Sequence, residues 1–107
     1  MKVMRGDVVY LKVPFQKSKH IQGGDRPYLV VSNNVGNEHS EICMVVPLTS
    51  ANKKGLPTHT MVGYRSTALC EQICTVSQDD ILKITGHCGV NAMMGVHRAL
   101  KVALELI

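Results

Sequence analysis

The chain lacks long hydrophobic runs, contains no Trp and has a single Phe among its 107 residues. No apolar stretch approaches the ~20 residues that a membrane-spanning helix needs, and no signal-type apolar stretch follows the first five residues. A composition of 45% hydrophobic and 19% charged residues excludes a disordered chain. We therefore expect a single domain over residues 1–107, located in the cytoplasm and without a membrane partner.

Metal-ligand and cofactor motifs are also absent. Cys70 and Cys74 would share one face of a predicted strand, but no second Cys or His pair completes a zinc site with them. The Gly23–Arg26 segment lacks the Lys-Ser/Thr of a phosphate-binding loop and precedes a strand. The sequence predicts no metal and no other cofactor, and it predicts reduced, buried thiols that pack as small hydrophobic groups.

Acidic residues are too few to balance the basic ones: 8 Asp and Glu stand against 12 Lys and Arg, which gives a net charge of +4. The excess lies in residues 12–65, and it makes a polyanion such as nucleic acid a natural partner. Solubility alone is the alternative explanation, because no dense run of Lys or Arg is present.

Most of the chain has the pattern of short β-strands. Two loops, 14–26 and 50–58, are polar and basic, and a loop longer than about 12 residues, such as the first, is usually functional or disordered. Asn33–Asn37 has turn chemistry, and residues 79–82 suggest a short helical turn. The predicted strands cover residues 7–13, 27–32, 42–48, 59–62, 67–77 and 83–85.

The pattern changes to helical spacing after Val90. Asn91 is a suitable N-cap, and Met93, Val96 and Leu100 fall on one apolar face. Five or six short strands followed by one amphipathic helix predict a mainly β fold. We expect a small barrel or twisted sheet with the helix packed across it.

Arg26 and Thr49 are the residues best placed for chemistry. Arg26 stands between a Gly pair and Pro27, so it would be presented from a rigid strand start beside a basic loop. Thr49 and Ser50 follow an apolar strand. A surface Arg in a turn and ordinary turn-forming hydroxyls are the plainer alternatives.

These fragments occur together in an order that resembles the MazF/PemK toxins of bacterial type II toxin–antitoxin systems. The resemblance covers nearly the whole chain, including the terminal helix. The matching pieces are Arg5-Gly6-Asp7-Val8, Gly23-Gly24-Asp25-Arg26-Pro27, Leu29-Val30-Val31 with Asn33-Asn34-Val35-Gly36-Asn37, Val46-Pro47-Leu48-Thr49, Leu56-Pro57-Thr58-His59, and Glu71-Gln72-Ile73 with Thr75-Val76.

The resemblance implies a partly open β-barrel of the PemK/CcdB type with a C-terminal amphipathic helix, usually found as a homodimer. It implies a metal-independent endoribonuclease that cuts single-stranded RNA, commonly mRNA, at short sequences and so stops translation and growth. The implied partners are RNA, a cognate antitoxin, and operator DNA only as a toxin–antitoxin complex.

The family's catalytic pair maps onto Arg26 and Thr49, with Ser50 as a phosphate contact. Its Glu-Gln pair maps onto Glu71 and Gln72, of which Gln72 is the expected RNA contact. An Arg fork suits the charge that builds up on a phosphoryl group attacked by the RNA 2′-hydroxyl. The general acid and base stay open between Arg26 and His59, for which a structural or phosphate-contacting role is the alternative. Further expected RNA contacts are Phe15, Lys17, Lys19, His20, Lys53, Lys54 and His59.

Two features depart from the family pattern. Cys74 stands where many relatives have an Arg, and Asp79 and Asp80 stand where a second base often follows. These changes leave Arg26 and Thr49 in place. A non-catalytic toxin on the same fold, acting as a gyrase poison or as an inactive RNA binder, is the alternative function.

Overall fold

The computed structural model describes residues 2–13, 24–50, 55–63 and 65–106. This part of the chain forms seven strands and two α-helices, and a 3₁₀ turn at Gln78–Asp80 leads into the last strand. The elements are β1 (Asp7–Val13), β2 (Gly24–Val30), α1 (Asn34–His39), β3 (Ile42–Thr49), β4 (His59–Gly63), β5 (Ser66–Leu69), β6 (Cys74–Ser77), β7 (Ile81–His87) and α2 (Val90–Ala103).

All the strand pairs are antiparallel, in the order β4-β5-β3-β2-β1-β7, and β6 also pairs with β3. The long strand β3 organises the sheet because β2 lies along one side and β6 and then β5 lie along the other. Two register shifts between β1 and β7 bend the sheet. Within the described residues β4 and β7 do not pair with each other, so the sheet curls without closing. The prediction of a mainly β, partly open barrel is confirmed.

The sheet buries apolar side chains on both faces. Tyr28 and Val45 belong to one cluster in the hollow of the curled sheet, whereas their neighbours Leu29 and Val46 belong to a second cluster beneath α2. A strand covered on both faces must be apolar throughout, which is the pattern of residues 42–48. β3 has this coverage only from Val45 to Leu48, because Ile42 and Met44 are 51% and 41% exposed. Pro47 lies within the strand, opposite Tyr28.

Helix α2 packs closely on β4 because it has a glycine at the contact. A Cβ built on Gly95 would lie 2.6 Å from Thr60 Oγ1. Val96 and Ala99 of the helix are buried against the sheet. The predicted helix is confirmed, but its N-cap is Gly89 and not Asn91, which lies inside the first turn. No helix in the described residues is long and apolar enough to span a membrane.

Several predicted boundaries are wrong. Residues 33–37 do not form a simple turn: Asn33 caps α1 by accepting a hydrogen bond from the Gly36 N–H at 2.7 Å. β2 begins at Gly24, inside the predicted loop, and β7 begins at Ile81, inside the predicted helical turn.

The predicted strand 67–77 is two strands. A turn separates β5 from β6, closed by the Gln72 N–H donating to Leu69 O at 3.0 Å. The prediction that Cys70 and Cys74 share one strand is therefore wrong. The split raises the number of strands to seven, above the five or six expected.

Candidate active site

Arg26 and Thr49 lie at adjoining ends of β2 and β3. The two strands pair Tyr28 with Pro47 and Val30 with Val45. Arg26 and Thr49 each stand two residues beyond the Tyr28–Pro47 pair, and both line one cavity. β5 lies beside them, because Thr67 pairs with Thr49 on the other side of β3.

A cavity of about 380 Å³ opens at this point. Arg26 and the hydroxyl side chains of Thr49, Ser50 and Ser66 line it, together with Pro27 and Leu48. Among the described residues, its lining holds one guanidinium and three hydroxyl groups but no carboxylate. Such a set of donors suits a bound phosphate and can stabilise additional negative charge on its oxygens.

Tyr28 lies on the same strand face as Arg26, two residues further along β2, and is 1% exposed. Its hydroxyl is buried and has no hydrogen-bond partner among the described residues. Burial raises the pKa of this phenol, which the charge of Arg26 opposes and Cys74 reinforces. The phenol therefore stays protonated at neutral pH. The sequence analysis did not single out Tyr28 or Ser66, although the period-two spacing from Arg26 was a signal for Tyr28.

His59 forms an ion pair with Glu71 across the end of β4. Its Nε2 lies 2.9 Å from Glu71 Oε2, and the two side chains are 10% and 33% exposed. Burial alone would raise the pKa of Glu71. Hydrogen bonds from His59, from the Glu71 backbone and from Thr58 outweigh that effect and lower it.

The structure does not bring His59 into the cavity of Arg26 and Thr49. His59 pairs with Leu69, two residues along β5 from Thr67, so it lies on the same sheet face but further along it. Two strand spacings, roughly 10 Å, separate β4 from β3. Gln72 follows Glu71 in the turn between β5 and β6, and it does not line the cavity either.

Six expected RNA contacts lie outside the described residues. Of the two departures from the family pattern, the Asp79-Asp80 pair lies away from the cavity. Asp79 and Asp80 are exposed in the 3₁₀ turn after β6, and Ser77 at its start pairs with Ile42, at the opposite end of β3 from Thr49. Cys74 pairs with Val45, nearer the middle of β3. The contacts outside the described part are Phe15, Lys17, Lys19, His20, Lys53 and Lys54.

The cysteines of the described part are free thiols: Cys43, Cys70 and Cys88 are buried and Cys74 is partly buried. Burial raises the pKa of the Cys70 thiol to about 11, which keeps it protonated and unreactive at neutral pH. Across residues 2–13, 24–50, 55–63 and 65–106, no group of three or more His, Cys, Asp or Glu side chains is placed to hold a metal ion.

Comparison with known proteins agrees with this fold. The chain is 34% identical to Endoribonuclease EndoA of Bacillus subtilis (strain 168), over 100% of this chain and 98% of that protein. It is 31% identical to Endoribonuclease MazF of Staphylococcus epidermidis, over 97% and 92% of the two chains.

Solved structures show the same fold. A mycobacterial endoribonuclease in complex with its cognate antitoxin superimposes with a TM-score of 0.85 at 26% identity, covering 98% of this chain and 97% of that one. MazF from Deinococcus radiodurans superimposes with a TM-score of 0.80 at 22% identity, covering 99% of both chains. The family model for PemK-like, MazF-like toxins matches residues 4–104. The chain therefore belongs to the PemK-like, MazF-like toxins of type II toxin–antitoxin systems.

Proposed function

We propose that this chain is a toxin that inhibits growth by cleaving single-stranded RNA, commonly mRNA, and that Arg26 and Thr49 carry the cleavage. The observation that supports this pair is their position on facing strands, at the wall of one cavity rich in hydroxyl groups. The relatives named as endoribonucleases span nearly the full length of the chain, which supports the same activity here.

The proposed reaction uses the RNA's own 2′-hydroxyl as the nucleophile. Its oxygen forms a bond to the adjacent phosphorus while the bond from phosphorus to the 5′-oxygen of the next nucleotide breaks. The products are a 2′,3′-cyclic phosphate and a free 5′-hydroxyl. Because the nucleophile belongs to the substrate, this route needs no metal-activated water.

Arg26 contributes charge stabilisation in this scheme. Its guanidinium stays protonated and presents a fork of N–H donors that matches two phosphoryl oxygens. Thr49 and Ser50 add hydroxyl donors from the other side of the cavity. Donors fixed in this way stabilise the transition state more than the ground state, and removing one costs about 10²–10³ in rate in a well-studied enzyme.

Sequence selection would come from residues around the cavity. Gln72 and His59 lie outside the cavity, on the turn after β5 and at the start of β4, and would contact nucleotides next to the cleaved one. We propose the same role for the contacts named from the resemblance in the two loops. They are Phe15, Lys17, Lys19, His20, Lys53 and Lys54.

We also propose that the toxin acts as a homodimer in the cytoplasm. A two-fold dimer doubles the basic charge and can build a longer RNA groove from two copies. The proposed protein partner is a cognate antitoxin, as in the mycobacterial and Deinococcus complexes. Operator DNA would be bound only by the toxin–antitoxin complex.

Cleavage of single-stranded RNA in EDTA tests the proposal directly. Wild-type protein should release products with a cyclic phosphate, identified by mass spectrometry. Arg26→Ala should lower the rate about 10²-fold or more while keeping the wild-type circular dichroism spectrum. Lys101→Ala, which removes one positive charge from α2, is the matched control.

Equal rates for Arg26→Ala and wild type would refute the assignment of Arg26, and a strict metal requirement would refute the mechanism. Inhibition of DNA supercoiling without RNA cleavage would instead favour the non-catalytic toxin.

A further inference from the structure

The hairpin formed by β4 and β5 extends the candidate active site to one side. Ser66, the first residue of β5, lines the cavity of Arg26 and Thr49. The next residue, Thr67, pairs with Thr49 on β3 and with Met61 on β4. Because these three residues are directly opposite one another on neighbouring strands, their side chains point to the same face of the sheet. They form a row that begins at the proposed catalytic Thr49 and ends at Met61.

This row becomes more accessible with distance from the cavity. Thr67 is half-buried, and Met61 is 65% exposed. The neighbouring row, His59 with Leu69, is more buried: Leu69 is 1% exposed and the His59 side chain is 10% exposed. Two strand spacings, roughly 10 Å, separate Thr49 from Met61, which is comparable with the length of one nucleotide. The open row therefore offers space for a nucleotide next to the one in the cavity.

Met61 gives the open end of the row an adaptable apolar surface. A methionine side chain is flexible, has a polarisable sulfur and makes favourable contacts with aromatic rings. A base of single-stranded RNA exposes such a ring to contacts of this kind. A purine has two fused rings, so it covers more of the Met61 side chain than a pyrimidine does. Thr67 adds a hydroxyl group that can donate to, or accept from, a base edge or a ribose.

The hairpin also carries a positive charge next to the cavity. Arg65 directly precedes Ser66, is exposed, and has a φ of +61°. This left-handed conformation usually belongs to Gly or Asn, yet here it carries an Arg. The sequence from His59 to Leu69 contains no Asp or Glu. A cation one residue from the cavity wall, on a hairpin without acidic residues, suits a backbone phosphate beside the cleaved one.

We propose that the β4–β5 hairpin binds the nucleotide next to the cleaved bond. Met61 and Thr67 hold its base, with a preference for a purine, and Arg65 contacts a neighbouring phosphate. The inference rests on the proposed function for its ligand, single-stranded RNA. It assigns three residues that the family resemblance did not name. The row that starts at Thr49 and the charge of Arg65 both favour RNA as the occupant of this surface.

Cleavage of a sequence-randomised RNA pool tests the base contact. Sequencing of the cut ends should show that wild type prefers a purine about threefold or more at one position beside the cleaved bond. Met61→Ser should lose this preference, while its single-turnover rate at saturating RNA stays within about twofold of wild type. Leu82→Ser is the matched control, because Leu82 is 60% exposed on β7, at the opposite end of the sheet from β4. It should keep the preference.

Binding of RNA that cannot be cleaved tests the phosphate contact separately from the chemistry. Short 2′-fluoro RNA lacks the 2′-hydroxyl nucleophile. Fluorescence anisotropy measures its dissociation constant from about 0.05 M to about 0.3 M salt, and each phosphate contact to a single strand contributes about 0.7 to the slope of the logarithmic plot.

Matched variants assign that slope to the hairpin. Arg65→Asn should lower it by about 0.7, because Asn accepts the left-handed conformation but removes the charge. Arg65→Lys should keep the slope, and so should Arg98→Asn on α2. At saturating RNA, Arg65→Asn should cleave within about twofold of the wild-type rate, in contrast to Arg26→Ala.

Four results would overturn the proposal. They are a wild type without the purine preference, an unchanged preference in Met61→Ser, an unchanged salt slope in Arg65→Asn, and a changed oligomeric state in Met61→Ser. The last result would make the hairpin an interface between copies.

The nuclease proposal can fail separately from this one. A wild type that binds 2′-fluoro RNA but does not cleave natural RNA would refute the nuclease. Sequences selected by binding from a randomised 2′-fluoro pool would then replace the cut ends as the measure of base preference, and the salt slope would be read as before. A wild type that binds no RNA would refute both proposals.

Discussion

His59 Nε2 and Glu71 Oε2 lie 2.9 Å apart and join the start of β4 to the turn that follows β5. The pair fixes the turn that carries Gln72, which is an expected RNA contact. Hydrogen bonds from His59, from the backbone and from Thr58 hold the pKa of Glu71 below its usual value despite partial burial. The carboxylate is therefore charged over the whole neutral range.

Glu71→Gln should lower the free energy of unfolding by about 1 kcal/mol at pH 7, the usual value for a partly exposed pair. A lowered pKa in the folded state gives stability above the unfolded-state pKa and loses it as the pH falls through the folded value. The difference between wild type and Glu71→Gln should therefore shrink from pH 5 towards pH 3. Urea unfolding at pH 5 and at pH 3 measures this difference in the free energy of unfolding. Glu38→Gln on exposed α1 is the control. A difference that does not change with pH would contradict the assignment.

Gly95→Ala should destabilise the fold, although Ala is the better helix former by about 1 kcal/mol. The added Cβ would lie 2.6 Å from Thr60 Oγ1, so either the Thr60 side chain must rotate or α2 and β4 must move apart. We expect a loss of about 1–3 kcal/mol in the free energy of unfolding, the usual cost of overpacking.

Adding Thr60→Ala to Gly95→Ala should restore part of this loss, because the nearest remaining atom of residue 60 would be 3.7 Å away. A double-mutant cycle by urea unfolding measures the coupling. Gly86→Ala is the control, since its Cβ would meet Val8 at an ordinary 3.9 Å. Additive effects of the two substitutions would show that α2 does not depend on this contact.

The predictions that succeeded rest on local patterns. β1 and α2 are recognisable because alternation or helical spacing runs through each of them, and β3 is recognisable because its residues form a continuous apolar run. The predictions that failed depend on contacts between distant residues. Gln78 donates to the backbone oxygens of Asn37 and Ser40 at 2.9 Å, and this buried contact ties the 3₁₀ turn to α1. No local pattern reveals it.

In the candidate site, too, the residue identities could be predicted from the sequence, whereas their contacts across the sheet could not. The resemblance named Arg26 and Thr49, but only the pairing of Tyr28 with Pro47 shows that they lie at adjoining strand ends. The strand pattern could not supply this register, because the two residues belong to strands separated by α1. The turn between β5 and β6 was missed for a similar reason: the ion pair of Glu71 with His59 lies across the sheet and has no local signal.

Tyr28→Phe should keep or raise the free energy of unfolding, by up to about 1 kcal/mol. The Tyr28 hydroxyl is buried without a partner among the described residues, and an unsatisfied buried group costs about 1–3 kcal/mol. Tyr10→Phe on the half-buried β1 ring is the control for loss of a hydroxyl. A large loss of stability in Tyr28→Phe would show that the hydroxyl has a partner. Normal stability with lost RNA cleavage would make the hydroxyl part of the catalytic machinery.

The double substitution Asp79→Asn and Asp80→Asn should change the cleavage rate of a short RNA by no more than about twofold at 0.15 M salt. The two carboxylates follow β6 at the end of β3 marked by Ile42, and seven residue steps of about 3.3 Å put that end about 23 Å from Thr49. The Debye length at this salt is about 8 Å, so their charge is largely screened at the cavity. Single-turnover cleavage at 0.15 M and 0.01 M salt measures both regimes, and a modest gain at the lower salt is expected. A tenfold gain at 0.15 M would contradict this separation and would mean that bound RNA extends along β3 as far as Ile42.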